Sequence, residues 1–424
     1  MTLCAESHIL LAVASNDFPH RNWKWNLAAA WVAQFLCVVG FNAAFPFMPF
    51  YIRALGVTDP DQVKLWTGMI ASAGPVSMAL VSPIWGVLAD RRGRKLMVER
   101  ATFGGAVILA LMAFAGNVQQ LFVLRLIQGT LTGTIPAFIT LVASFAPASE
   151  AGFALGMMQM AVFSGSSVGP LIGGIVADKF GYRWAFRVTG ALLLVAGVLV
   201  YAVVREGFTP PVGRRETPGL AAGARTVVGS TTVLGAVVAL GGIYMANQAS
   251  RPLLPLLVEL LQQDSSLVNT TVGTVYGANA VASAISAAVV GQISDRIGHR
   301  KALAACALGA AVAYVGQAAA PSVGVLIGVA FATGLFAGGL TPAANAILAG
   351  AVPKDQQGAV YGISNSVNAA GRAMGPVIGA AVATAVSLRA SFAATGGLLA
   401  LVAVWVAAGA ARDAGRPSSR ASRR

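Results

Sequence analysis

A succession of apolar runs, each long enough to cross a lipid bilayer, constrains this chain more than any other feature. They fall at 26–52, 65–89, 97–115, 119–146, 151–177, 183–204, 229–258, 268–293, 301–320, 322–351, 357–386 and 389–410. A helix needs about 20 apolar residues to span the hydrocarbon core. Backbone polar groups in lipid must be satisfied within the protein, so the runs are expected as helices. Strands of a membrane barrel would alternate apolar and polar residues, and these runs do not. Only 10% of the 424 residues are charged, against roughly 25% in ordinary soluble domains. The chain therefore reads as an all-α membrane protein of twelve transmembrane helices.

A net charge of +14 would suit a nucleic-acid partner, but its distribution argues otherwise. With the N-terminus in the cytoplasm, 20 of the 29 lysines and arginines fall in inner segments and 6 in outer ones (Arg53, Lys64, Lys179, Arg183, Arg187 and Arg389). That bias places both termini in the cytoplasm. The tail arginines, among them Arg416, Arg420 and Arg424, are expected against anionic lipid, at about 1 kcal/mol each. Cys4, Cys37 and Cys306 are isolated, so neither a disulfide framework nor a zinc site is supported. Residues 1–24 lack a basic segment ahead of their short apolar piece and do not read as a cleaved signal. Trp23 and Trp25 around Lys24 look like an interfacial anchor instead.

Three landmarks recur at one offset. Pro46–Pro49 is matched by Pro252–Pro255 and Gly169-Pro170 by Gly375-Pro376, both 206 residues later; the loop at Asp90 is matched by that at Asp295, 205 later. Three matches at one spacing mean a duplication, and six spans in each copy give both copies the same membrane orientation. The expected organisation is a cytoplasmic segment 1–24, a six-helix bundle 25–204, a linker 205–226, a second bundle 227–410 and a basic tail 411–424.

Each recurring loop joins an acid, several bases and glycines. In the first, Gly86 is expected to let helices approach, Gly93 to allow a sharp reversal, and Asp90 to meet a helix N-terminus or an arginine. Arg91, Arg94 and Lys95 would hold the loop at the lipid face. Asp295, Arg296 and Gly298 repeat the pattern. Gly165, Gly169 and Gly173 stand at i, i+4 and i+8, a stripe for close helix contact, and Pro170 adds a bend. A hinge or seal between halves and plain helix packing are both compatible with that stripe.

Gly86-x-x-x-Asp90-Arg91-x-Gly93-Arg94-Lys95 resembles the loop 2–3 motif of the major facilitator superfamily. Leu124-Arg125-Leu-Ile-Gln128-Gly129-x-x-x-Gly133 resembles its fourth-helix motif, and Gly165 through Gly174 the fifth-helix motif of twelve-span drug–proton antiporters. The N-terminal stretch from Trp23 to Val57 is similar to MdtG-type multidrug exporters. The resemblance implies a major facilitator fold of two pseudo-symmetric six-helix bundles, located as a multi-pass protein of the bacterial inner membrane. It implies a role for Arg125, with Gln128 and Gly129, in proton coupling, and for Asp90 and its partners in conformational locking. It assigns Gly169-Pro170 to keeping the pathway leak-tight.

Charges inside the spans are the remaining chemical signal. Arg125, Arg251 and Arg372 are the basic residues set well in from the span ends, and none of the 15 acids lies mid-span. A buried membrane charge costs several kcal/mol unless partnered or hydrated. Coupling would then use an acid near a membrane face (Asp90, Glu99, Glu150 or Asp178) or a protonated substrate, and a neutral, zwitterionic or anionic substrate is favoured over a dication. The expected cavity is lined by Gln34, Asn42 and Phe45 on the first helix and Met157, Met160 and Phe163 on the fifth. Tyr244, Asn247 and Gln248 on the seventh and Asn365, Asn368 and Arg372 on the eleventh complete it. Methionine suits an adaptable, poorly selective wall.

No nucleotide-binding Gly-x-x-x-x-Gly-Lys-Ser/Thr segment occurs, so no ATP site, cofactor or covalent catalysis is expected. The reading is a monomeric secondary transporter that exports small amphipathic compounds by alternating access, with protons and lipids as its other partners. A sugar or organic-anion carrier of the same superfamily is the alternative. A sensor that has lost transport is a third possibility, which the short central linker disfavours.

Overall fold

A computed structural model describes residues 23–147, 149–208, 220–262, 267–353 and 356–414. The described residues fold into long helices and contain no strand. The first half comprises α1 (Trp23–Ala54), α2 (Pro60–Arg92), α3 (Arg94–Met112), α4 (Val118–Phe145), α5 (Ala151–Phe180) and α6 (Tyr182–Val203). The second comprises α7 (Thr231–Leu261), α8 (Val268–Ile297), α9 (His299–Ala319), α10 (Val323–Ala351), α11 (Gln357–Ala385) and α12 (Leu388–Ala414). Ten of these are long and apolar enough to cross a membrane; α3 and α11 fall outside that count. Their charged or polar residues account for this: Arg94, Lys95, Glu99 and Arg100 begin α3, and Asn365, Asn368 and Arg372 interrupt α11.

Several rods are interrupted where the sequence removes a backbone donor or needs unusual dihedrals. Pro46 and Pro252 sit in short 3-10 turns, Phe45–Phe47 and Arg251–Leu253, that bend α1 and α7. The single run expected at 119–146 is split at Gly133, whose φ of 127° belongs to glycine. Its counterpart α10 breaks at Gly338-Gly339. Leu220–Gly229 forms a short helix that begins in the expected linker, ends three residues beyond it and packs on α11, so the connection is partly structured. The segment 1–22 and the tail from 415, including its expected lipid contacts, lie outside the described residues, as do linker residues 209–219.

The duplication is visible in the packing. In the first half α1 lies on α5 and α6, α2 on α4, and α3 on α6. In the second, α7 lies on α11 and α12, α8 on α10, and α9 on α12. Arg183 and Arg389 each donate to a carbonyl at the end of the third helix of their half, Ala115 and Ala318, at 3.3 and 2.8 Å. The halves meet through α2 against α11 and α5 against α8.

These two seams are closed at one end only. A Cβ placed on Gly68 of α2 would lie 2.7 Å from the Pro376 carbonyl, and one on Gly273 of α8 would lie 2.4 Å from that of Pro170. At the opposite ends, beside the Asp90 and Asp295 loops, a Cβ on Gly86, Gly152, Gly156, Gly291, Gly358 or Gly362 meets nothing within 4 Å. The halves are therefore in backbone contact at the face of the α1–α2 connection and splayed at the face of the Asp90 loop.

Candidate functional site

Just inside the closed end, Arg125 projects from α4. Its guanidinium carbon lies 3.9 Å from the centre of the Phe45 ring on α1, and Nε donates to the Ile70 carbonyl at 3.3 Å. Nη1 donates to Gln128 Oε1. The Gln128 amide is oriented by its other end, which donates to Thr132 Oγ1 at 2.8 Å. Room for the guanidinium comes from Gly74, where a Cβ would lie 3.0 Å from Arg125 Cζ. Cation–π contacts contribute about 2 kcal/mol when desolvated, which partly offsets the cost of a charge at this depth.

The second half reverses this arrangement. At the offset of 205, Gly74 becomes Asn279 and Arg125 becomes Ala330. Asn279 Nδ2 donates to the Ala330 carbonyl at 2.9 Å. A glycine facing an arginine is thus replaced by an asparagine facing an alanine, and the charge is carried by one half alone.

The other two intramembrane arginines also meet aromatic faces. Arg251 lies 5.8 Å from the Tyr276 ring and donates to Asn42 Oδ1 of the opposite half at 3.5 Å. Arg372 lies 4.3 Å from the Tyr244 ring. Arg372 is one turn before Pro376 on α11, below the point where that helix touches α2, and is exposed. Among the described residues no carboxylate forms an ion pair with any of the three.

The structure therefore joins Phe45, Arg125 and Gln128, links Asn42 to Arg251 across the halves, and pairs Tyr244 with Arg372. Other expected cavity residues are placed differently. Gln34 is 1% exposed, and neither amide atom has a partner among the described residues. Its pseudo-symmetric position is Leu240, also buried, so Gln34 sits in helix packing rather than on an open wall. Asn368 is buried with its Oδ1 unpaired, while Asn365 is exposed. Asn247 receives the Tyr314 hydroxyl at 3.5 Å within its own half. Gln248, Met157 and Phe163 are half-buried, and Met160 is exposed.

The glycine stripe of α5 faces α1, inside the first half. A Cβ on Gly165 would lie 2.8 Å from Val38 Cβ, on Gly169 2.7 Å from the Val39 carbonyl, and on Gly173 2.1 Å from that of Ala43. Gly371, Gly375 and Gly379 pack on α7 in the same way. Contact between the halves is made instead by the neighbouring Gly174, Gly273 and Gly277, with Pro170 offering its carbonyl to Gly273. Gly129 supports the α4 crossing of α2, where a Cβ would lie 2.3 Å from the Gly74 carbonyl.

In the Asp90 loop, Gly93 turns the chain with φ 93° and Gly298 does so in the second copy with φ 94°. Asp90, Arg91 and Arg296 are exposed, and Asp90 has no hydrogen bond or ion pair among the described residues. Gly86, expected at a close helix crossing, has no neighbour in this conformation. Among the described residues Asp295 reaches only His299 Nδ1, at 4.0 Å. The loop's partner comes from the start of the linker: Glu206 accepts from the Arg94 and Lys95 amides at 2.9 and 2.7 Å, completing the α3 N-terminus. A cleft of about 650 Å³ lies elsewhere on this face, lined by Ser230, Thr232, His299, Arg300 and Lys301 among others.

Two pseudo-symmetric helical bundles, closed together at one end over a basic centre, define a polytopic membrane transporter. The sequence profile of the Major Facilitator Superfamily matches residues 30–260 and 232–424. The chain belongs to that superfamily; it is a transporter and not an enzyme. It is 34% identical to the multidrug resistance protein MdtG of Proteus mirabilis over 67% of this chain and 70% of that one. It is 36% identical to MdtG of Citrobacter koseri over 69% and 71%. Its fold is shared with a bacterial homologue of the human lysosomal transporter Spinster, with TM-score 0.74 and 13% identity over 92% of this chain and 95% of that one. The human organic anion transporter MFSD10 (TETRAN) gives TM-score 0.65 and 18% identity over 91% and 99%. The protein is a multi-pass bacterial inner-membrane protein that carries small molecules.

Proposed function

We propose that this transporter exports small amphipathic compounds in exchange for protons, with α3 and α11 completing twelve crossings and a monomer as the working unit. The observation that carries the reading is the one-ended closure of the two seams over Arg125, joined to the similarity with multidrug resistance proteins. The positive-inside bias assigns the Asp90 face to the cytoplasm, so the described state is open to the cytoplasm, ready to take substrate from within.

The Asp90 loop is the latch of the opposite state. Its exposure here is what a latch on the splayed face requires, because the partner surface on the other half has moved away. Arg125 is the coupling group: with no mid-span acid, its charge makes the site sensitive to the ionisation of whatever enters. A substrate carrying a carboxylate or another anionic group completes the site, and three arginines on aromatic faces without acids also favour the organic-anion alternative.

Proteoliposomes loaded with labelled compounds, with and without an imposed pH gradient, test this. Drug flux should follow the gradient, and Arg125→Ala should abolish the gradient-driven part. An Arg125→Ala protein that keeps pH-driven exchange refutes the coupling role. Drug levels that stay fixed while a sugar or organic anion moves reject the exporter.

A further inference from the structure

Beyond the Arg251–Asn42 hydrogen bond, the described residues of the closed face carry three further ties between the halves, and their positions obey the internal two-fold. The first lies on the axis itself. Arg53 Nη1 donates to both oxygens of Glu259 at 2.6 and 2.7 Å, and these two residues are each other's counterparts at the offset of 206. The second joins α5 to α8. Asp178 accepts from Asn269 Nδ2 at 2.7 Å, Asn269 N at 3.3 Å, Thr270 N at 2.8 Å and Thr270 Oγ1 at 2.6 Å. The third joins α2 to α11, where Lys64 Nζ donates to the Ala383 carbonyl at 3.3 Å.

Lys64 is the counterpart of Asn269 at the offset of 205 that relates α2 to α8, and Ala383 precedes Thr384, the counterpart of Asp178 at 206, so the second and third ties occupy related places. Their chemistry is complementary rather than copied. The first amides of a helix and its last carbonyls lack intrahelical partners, and the two ends carry opposite partial charge. One half supplies an acid to the amino end of α8; the same half supplies a lysine to the carboxyl end of α11. Each of these two ties stands one turn outside a glycine at which the backbones touch, Gly174 with Asp178 and Gly68 with Lys64.

We infer that Asp178, Arg53–Glu259 and Lys64 form a three-point gate that holds this face shut, with Asp178 as its strongest member. An Asp178 carboxylate accepting four hydrogen bonds from the other half exists only while α5 and α8 are in contact, so its contribution falls on the conformational equilibrium. The inference rests on the alternating-access reading.

Distances between spin labels at Gln119→Cys and Gly324→Cys test it, in a chain whose three native cysteines are replaced. Gln119 is exposed, a side chain on Gly324 meets nothing within 4 Å, and the pair brackets the closed face from opposite halves. The short separation should dominate in the parent. Asp178→Asn should shift populations toward the longer separation by about tenfold or more, the worth of a charged hydrogen bond. Glu259→Gln should shift them in the same direction, and the exchange Arg53→Glu with Glu259→Arg should restore the short separation. Unchanged distances in both Asp178→Asn and Glu259→Gln would overturn the gate, as would a charge exchange that behaves like the single substitution. Flux in the same proteoliposomes separates the two readings: distances that respond without any flux sink transport and keep the gate, whereas flux with unresponsive distances sinks the gate alone.

Discussion

Gly173 and Gly174 are adjacent on α5, yet alanine at each should fail in a different way. A Cβ on Gly173 would lie 2.1 Å from the Ala43 carbonyl oxygen of α1, and one on Gly174 would lie 2.5 Å from the Asn269 carbonyl oxygen of α8. Ordinary contact is about 3.5 Å, so the backbones must separate by about 1.4 and 1 Å. Overpacking on that scale costs roughly 1–3 kcal/mol, a factor of about 5 to 150 in an equilibrium constant. For Gly173→Ala the strain is inside the first half and is present in every conformation. Thermal unfolding in detergent should shift down by several degrees, with label distances between the halves unchanged. For Gly174→Ala the strain is relieved when α5 and α8 part. The melting temperature should change little, while the population open at that face rises about 5- to 150-fold. Label distances between Gln119→Cys and Gly324→Cys read the population, and circular dichroism reads the melt. If both variants lose equal thermal stability with unmoved distances, the assignment of one glycine to the bundle and the other to the gate is refuted.

Phe45→Leu removes the ring under Arg125 and should lower pH-driven flux by several-fold, about 1–2 kcal/mol of lost cation–π contact, whereas Phe45→Tyr should retain it; equal flux in both would remove Phe45 from the site. Arg125→Lys should recover little, because an ammonium cannot stack and bridge as the planar guanidinium does, and substrate flux with and without a pH gradient measures this. Glu206→Gln leaves the α3 amino end without its carboxylate and should cost about 1 kcal/mol, read as a lower melting temperature. Cys37, fully buried in α1, should resist a membrane-permeant thiol reagent in the folded protein and react after denaturation.

Much of the architecture is legible in the chain because lipid leaves few choices. Apolar runs of this length must be helices, and a repeat at 205 to 206 residues with six runs per copy dictates two parallel bundles. Gly93, Gly298 and the prolines of α1 and α7 act where they stand, since dihedral limits are local. Arg125 was recognisable as a buried charge, and its loss at Ala330 showed in the same offset. The facing residue was not: that Gly74 makes its space, and that Asn279 fills the matching space opposite Ala330, requires two helices to be set side by side.

The glycine stripe shows the limit most clearly. Spacing by four says that a helix has a bare face and cannot say which neighbour lies against it. Only the packed bundle turns Gly173 toward α1 and Gly174 toward α8, a rotation of about 100° per residue around the helix. The same holds for Gln34, whose polarity suggested a cavity wall and whose neighbours bury it. Composition and periodicity determined that this protein is a duplicated helical membrane protein with arginines inside its spans. Which end of its two seams is closed, and that Asp178, Lys64 and the Arg53–Glu259 pair do the closing, depends on contacts between residues some 90 to 320 positions apart. Such contacts depend on how the two halves are docked, which a one-dimensional pattern does not encode.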